Sequence, residues 1–420
     1  MKTLIKNIKE IVGVSTNENT NIKSGNKLKD ILSVSDGWIM IENNIISDFG
    51  SMKDWKGVEN WNDTNIIDAD NGIVLPSWCD SHTHIVYAGS REIEFLDKIN
   101  GLSYEEIAKR GGGILNSAQL LSNTSEDDLY AQSEKRVDQV IKLGTGALEI
   151  KSGYGLDTEN EIKMLRVIKR LKEKYPIPIK STFLGAHAVP KEKTKEQYIE
   201  TIINEMLPII SKEKLADYID VFCDKGFFSP QETETILEAG SKYGLQPKIH
   251  ANELDFSGGI EVGVKMKALS VDHLEFTSQT QIDILKGSKT MPTLLPGTAF
   301  FLGLQYPPAR KMIDAGLPVA IATDFNPGSC PSGNMGLIMS LACIKMKMTP
   351  TEAINAATIN GAYAMGLEKE LGLISKGRIA NLIITKQIPS INYIPYSMGE
   401  NNINKVIING KIYYDSQTNY

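Results

Sequence analysis

The chain is poor in cysteine and histidine, and it has no excess of charge of one sign. Its four cysteines (Cys79, Cys223, Cys330, Cys343) lie far apart, with no CxxC pair. That spacing excludes a zinc ribbon, and 420 residues need no disulfide framework to enclose a core. A reducing, cytoplasmic setting is expected. Forty-five basic residues against 51 acidic ones leave a net charge of −6, so no basic face for nucleic acid or anionic lipid is expected. No run approaches the ~18–20 apolar residues that span a bilayer. The opening MKTLIKNIKEIVGV lacks the continuous apolar stretch of a secretory leader. Small-molecule chemistry remains.

Strand and helix signals divide the chain. Up to about residue 72, short runs rich in β-branched and apolar residues (31–34, 38–42, 44–49 and 66–70) are broken by Ser-Asp-Gly and Asn-Asn. Eight apolar strand-like runs then follow, at 73–79, 146–150, 179–183, 219–222, 247–249, 269–271, 290–294 and 318–322. Amphipathic stretches such as 159–175, 195–210, 230–243 and 277–286 lie between them. Asp157 or Thr158 and Ser229 suit N-caps, and Pro230 suits a first helical position. Apolar strands alternating with helices imply parallel strands joined by crossover helices. Eight such units predict a (β/α)8 barrel. After a helix at 351–365, a strand segment at 371–385 and a hairpin around Asn409-Gly410 close the chain. The expected organisation is α/β: residues 1–72 and 371–420 form a small β-sandwich domain from both termini, around a barrel at 73–370.

Only five histidines occur: His82, His84, His187, His250 and His273. A lone histidine is more often a packing residue than a ligand, but each of these follows an expected barrel strand. The C-terminal rim of such strands is where barrel active sites are built. His82 and His84 alternate on an extended segment, so both imidazoles can reach one metal ion. His250 offers a third nitrogen. Asp324 ends the apolar run Val319-Ala320-Ile321-Ala322-Thr323, where an acid is costly unless it binds a cation or donors. Three imidazoles and a carboxylate leave positions open, as catalytic sites require. Glu253 is placed to move a proton. His273 is placed to polarise a substrate or orient a water, and Asp80 either orients an imidazole or makes a turn.

HxH after the first strand, HxxE after the fifth, His after the sixth and Asp after the eighth resemble the amidohydrolase superfamily. Members with two metals bridge them through a lysine at the end of strand four; here Lys225 lies beyond that end, so one metal is expected. The segments Ser81-His82-Thr83-His84-Ile85-Val86-Tyr87-Ala88-Gly89-Ser90-Arg91-Glu92, Gly111-Gly112-Gly113-Ile114, Lys151-Ser152-Gly153-Tyr154-Gly155-Leu156, Gly185-Ala186-His187-Ala188-Val189-Pro190 and Asp324-Phe325-Asn326-Pro327-Gly328-Ser329 are similar to the imidazolonepropionase family within it. That resemblance implies hydrolysis of a cyclic amide, 4-imidazolone-5-propanoate, to N-formimidoyl-L-glutamate. It implies one divalent ion, zinc or iron, on His82, His84, His250 and Asp324, with Glu253 and His273 catalytic. It places Arg91 on the substrate carboxylate, with Tyr104, Tyr154, His187, Glu253, Asn326, Gly328 and Ser329 as further substrate contacts. A homodimer is expected on the same ground. A guanine- or cytosine-type deaminase would share the metal set but would not need an arginine for a carboxylate. A non-catalytic barrel would lack one of the ligands.

Overall fold

The computed structural model describes residues 2–17, 19–58, 60–102, 106 and 112–418. Strands β1 (Lys2–Val12), β2 (Ser33–Glu42), β3 (Ile45–Ser51), β4 (Thr64–Asp68) and β5 (Ile73–Pro76) come first. Eight more follow: β6 (Trp78–Asp80), β7 (Thr145–Lys151), β8 (Ile179–Ala186), β9 (Tyr218–Cys223), β10 (Gln246–Ala251), β11 (Ser270–His273), β12 (Met291–Leu294) and β13 (Ala320–Ile321). The chain ends on β14 (Leu382–Thr385), β15 (Ile403–Ile408) and β16 (Lys411–Asp415). β6 to β13 pair in chain order, all parallel. The other strands form one mixed sheet from both termini, in the order β16-β15-β14-β5-β1-β2-β3, with β4 also beside β1.

Two differences from expectation have local causes. The structure adds β1, whose register shifts between Ile5 and Ile8, with Asn7 left-handed at φ 55°. This bulge throws polar and apolar positions out of step and hides the alternation. The run 73–79 is not one barrel strand but two strands in two sheets. β5 pairs with β1 and β14, whereas β6 pairs with β7. Pro76 cannot donate to a ladder, and Ser77 turns aside to donate its N–H to the Asn381 carbonyl at 3.1 Å. The barrel's first strand therefore starts at Trp78, and the apolar period alone could not say which sheet each half joins.

The helices start as their caps dictate. The Asp157 side chain accepts from Asn160 N–H ahead of Thr158–Lys174, and Ser229 and Glu232 form a reciprocal capping box ahead of Pro230–Lys242. Between β13 and β6 the barrel closes above the strands themselves. Asp324 N–H donates to the His82 carbonyl and His84 N–H to the Phe325 carbonyl, both at 2.9 Å. That closure carries Asp324 to the HxH segment.

Candidate active site

His82, His84, His250, His273 and Asp324 converge on the C-terminal rim, each almost wholly buried. Ligand atoms of His82, His84 and His250 lie within 4.8 Å of one another, as do those of His82, His273 and Asp324. His250 Nε2 stands 3.3 Å from His84 Nε2, and Asp324 Oδ1 stands 3.5 Å from Nε2 of both His82 and His84. Burial, reinforced for His82 by Lys151 and for His84 by His250, holds both imidazoles far below their usual range, hence neutral. His82 Nε2 is buried with no hydrogen-bond partner among the described residues. Neutral nitrogens and a carboxylate oxygen facing one point, one nitrogen of them unpartnered, are what a divalent cation requires. The donor set fits a metal ion.

Carboxylates behind the imidazoles hold them. Asp272 Oδ2 lies 2.6 Å from His82 Nδ1, and Asp220 Oδ2 lies 3.0 Å from His250 Nδ1. The hydrogen bond on His82 Nδ1 directs its Nε2 towards the cluster. Asp80, expected either beside an imidazole or in a turn, instead accepts from Thr323 N–H at 3.0 Å and from the Thr323 hydroxyl. It secures the strand end that carries Asp324. Below lies a fully buried ionic network: Lys151 Nζ is 2.7 Å from Glu149 and 2.8 Å from Asp220, and Lys248 pairs with Glu149. Burial would lower the Lys151 ammonium, but Asp220 and Glu149 outweigh it and hold it above its usual range. Sequence reasoning missed this network. Its signal was a charge inside several doubly buried strands, as in Ala147-Leu148-Glu149-Ile150-Lys151.

The backbone at the rim is unusual. His273 (φ 83°), Leu274 (φ 70°), Asn252 (φ 55°) and Asp324 (φ 52°) are all left-handed without being glycine. Such conformations cluster at functional sites. Glu253 Oε2 lies 3.7 Å from His273 Nδ1, and Glu275 Oε2 lies 3.9 Å from it. Burial, then the charges of Asp324 and Asp224, push the Glu253 carboxyl well above its usual range. Burial, then His250, hold His273 far below its own.

A cavity of about 670 Å³ opens over this cluster. The remaining expected contacts line it, except Tyr104, which lies outside the described residues. His187 Nδ1 pairs with the Gly153 carbonyl at 2.9 Å, and its ring stacks on His84 at 5.4 Å. Tyr154 sits 5.4 Å from the His187 ring. Its turn is clamped by buried Glu161, which accepts N–H from Gly153, Gly155 and Leu156. Asn326 Oδ1 accepts N–H from Gly328 and Ser329, both at 2.8 Å, which folds the loop after Asp324 back over the cavity. Arg91 faces the cavity while its Nε and Nη2 hold Glu94 at 2.9 and 2.6 Å. Its guanidinium lies against Gly328, where a Cβ would come within 1.9 Å of Nη1. Any larger residue there would have to push the guanidinium aside. Lys225, by contrast, is exposed and pairs with Asp255 away from the cluster.

Imidazoles and an aspartate at the strand ends of a closed parallel barrel, flanked by a second sheet, define an amidohydrolase-type protein. The model of the amidohydrolase family matches residues 73–413. Imidazolonepropionase of Christiangramia forsetii is 57% identical over 98% of this chain and 100% of its own length. That of Flavobacterium psychrophilum is 58% identical with the same coverage. Among solved structures, E. coli guanine deaminase superposes with a TM-score of 0.76 at 14% identity, covering 99% of each chain. The 5-methylcytosine deaminase of Klebsiella pneumoniae gives 0.74 at 15% identity, covering 98% of this chain and 99% of that one. At such identities these two show the fold alone. The chain belongs to the amidohydrolase family and, within it, to the imidazolonepropionases.

Proposed function

We propose that this chain opens the ring amide of 4-imidazolone-5-propanoate with water, giving N-formimidoyl-L-glutamate. The observation that carries the reading is a His-rich donor cluster beneath a cavity with a cationic outer wall, in a chain 57% identical to an imidazolonepropionase over 98% of its length. His82, His84, His250 and Asp324 would hold one divalent ion, zinc or iron. Such an ion supplies the Lewis acidity that makes water nucleophilic near neutral pH.

The chain's own residues do the rest. Glu253, its carboxyl raised by burial and neighbouring acids, takes a proton from the attacking water and returns it to the ring nitrogen as the C–N bond breaks. A base with a raised pKa is matched to work near neutrality. Neutral His273 hydrogen-bonds at the reacting carbonyl as its oxygen gains charge. Arg91 takes the propionate carboxylate, and Tyr104 adds a phenolic hydrogen bond to the substrate. His187 and Tyr154 border the ring, and the Asn326–Ser329 loop offers polar groups to substrate and product. A cytoplasmic setting and a homodimer belong to the same proposal; the four cysteines, all unpaired, fit a reducing compartment. No helix of the described residues is long and apolar enough to cross a membrane.

The test is direct. Metal-analysed protein is mixed with fresh imidazolone propionate, and the loss of ultraviolet absorbance is followed against chelated and enzyme-free controls. Fast, chelator-sensitive loss yielding formimidoylglutamate is expected. About one metal per chain without any acceleration would overturn the substrate.

A further inference from the structure

The outer wall of the cavity holds a second cation. Lys98 is on the helix Glu92–Ile99, whose N-cap is Arg91. Seven residues make about two helical turns, so the two side chains share a face, and both line the cavity. They meet at the same residue. Arg91 packs where Gly328 has no side chain, and Lys98 Nζ stands 3.5 Å from the Gly328 carbonyl oxygen. Their situations differ. Arg91 is committed to Glu94, whose carboxylate also accepts from Asn116 Nδ2 at 3.0 Å and Gly113 N–H at 3.1 Å. Burial would raise the Glu94 carboxyl, but these hydrogen bonds, led by Arg91, outweigh it and keep it ionised. Among the described residues no carboxylate forms an ion pair with Lys98. Its Nζ stands over the Phe301 ring, 5.6 Å from the centroid.

We propose that Lys98 is a specificity-determining residue for an anionic tail, the mobile ammonium that completes the carboxylate grip which Arg91, held by Glu94, begins. This rests on the reading of the cavity as a site for a ring bearing a carboxylate. Arg91, Lys98 and Glu94 together carry one net positive charge, matched to one carboxylate. Without Lys98 the Arg91–Glu94 pair is neutral. Burial and the neighbouring guanidinium depress the Lys98 ammonium, and an arriving anion relieves both costs. The division of labour follows the chemistry of the two side chains. A planar guanidinium locked by a carboxylate sets direction, whereas a flexible ammonium follows the ligand.

The experiment compares metal-loaded wild type, Lys98→Met and Lys98→Arg. Calorimetry measures binding of imidazole-4-propionate and of 4-ethylimidazole, which has the same ring without the carboxylate, alongside KM and kcat for imidazolone propionate. Wild type is expected to prefer the acid. Lys98→Met should lose about tenfold or more of that preference, the scale of a charge-assisted contact. Its affinity for 4-ethylimidazole and its kcat should hold, while KM rises. Lys98→Arg should keep most of the preference. Equal affinity of Lys98→Met and wild type for the acid would overturn the proposal, as would a wild type indifferent to the carboxylate. If wild type prefers the acid through Lys98 yet leaves imidazolone propionate intact, the proposal stands and the substrate reading fails.

Discussion

The two sheets of this protein have opposite interiors. In the terminal sheet Ile5, Ile8, Ile11, Ile39, Ile46 and Ile384 belong to one wholly aliphatic cluster. Inside the barrel, Glu149, Lys151, Asp220, Lys248 and Asp272 are all at 0% exposure. Burying charge is expensive, and apolar side chains of similar size would often be as stable or more so. The terminal sheet shows that this chain can build a dry core. The barrel's ionic column therefore answers another demand: it stands under the imidazoles and carries the carboxylates that face their Nδ1 atoms. Aliphatic burial holds the shape, and buried charge holds the donors in place.

The sharpest way to separate the two regions is through chemistry. Glu253→Gln keeps the size and burial of the side chain and removes its ability to accept a proton. A loss of about 10²- to 10⁴-fold in kcat is expected, with metal content and unfolding midpoint near those of wild type. Steady-state kinetics beside metal analysis decides it. Turnover within a few-fold of wild type would remove Glu253 from the proton-transfer role.

The next test breaks the ionic column itself. Lys151→Met deletes the cation shared by Glu149 and Asp220, leaving buried carboxylates without compensation. Breaking a buried pair costs about 3–5 kcal/mol, so urea unfolding should shift by that order. Bound metal should fall as Asp220 and Asp272 lose the partner that fixes them. Unchanged stability would mean that Lys248 alone supports the column, and the contrast between the two interiors would weaken.

How far each region was legible in the sequence follows from the same difference. The barrel strands announced themselves as apolar runs, and the HxH, HxxE and Asp324 positions fell where those runs end. Five expected site residues, His82, His84, His250, His273 and Asp324, come together as their positions implied. The ionic column did not show, because Glu149 and Lys151 lie on one strand while their partners Asp220 and Lys248 come from two others. Single-chain periodicity carries no information about such pairings. Asp80 was ambiguous for the same reason, its partner Thr323 being 243 positions away. In the terminal sheet the bulge in β1 and the switch of sheets at Ser77 defeated a period-two reading.

The smallest effect belongs to the aliphatic side of the comparison. Ile39, fully buried in β2, loses one methylene in Ile39→Val. The expected cost is about 0.5–1.5 kcal/mol in urea unfolding, with kcat and KM unchanged. Lys151→Met changes more atoms, so the energies of the two variants cannot be compared directly. Their pattern can: in the terminal sheet stability should fall alone, whereas in the barrel stability and metal affinity should fall together. If Ile39→Val also lowered bound metal, the terminal sheet would be mechanically joined to the donor cluster. β5 and β6 offer a physical route for that coupling, because they are separated only by Ser77. A clean result would instead show that the turn at Ser77 insulates the site from packing changes in the sheet beside it.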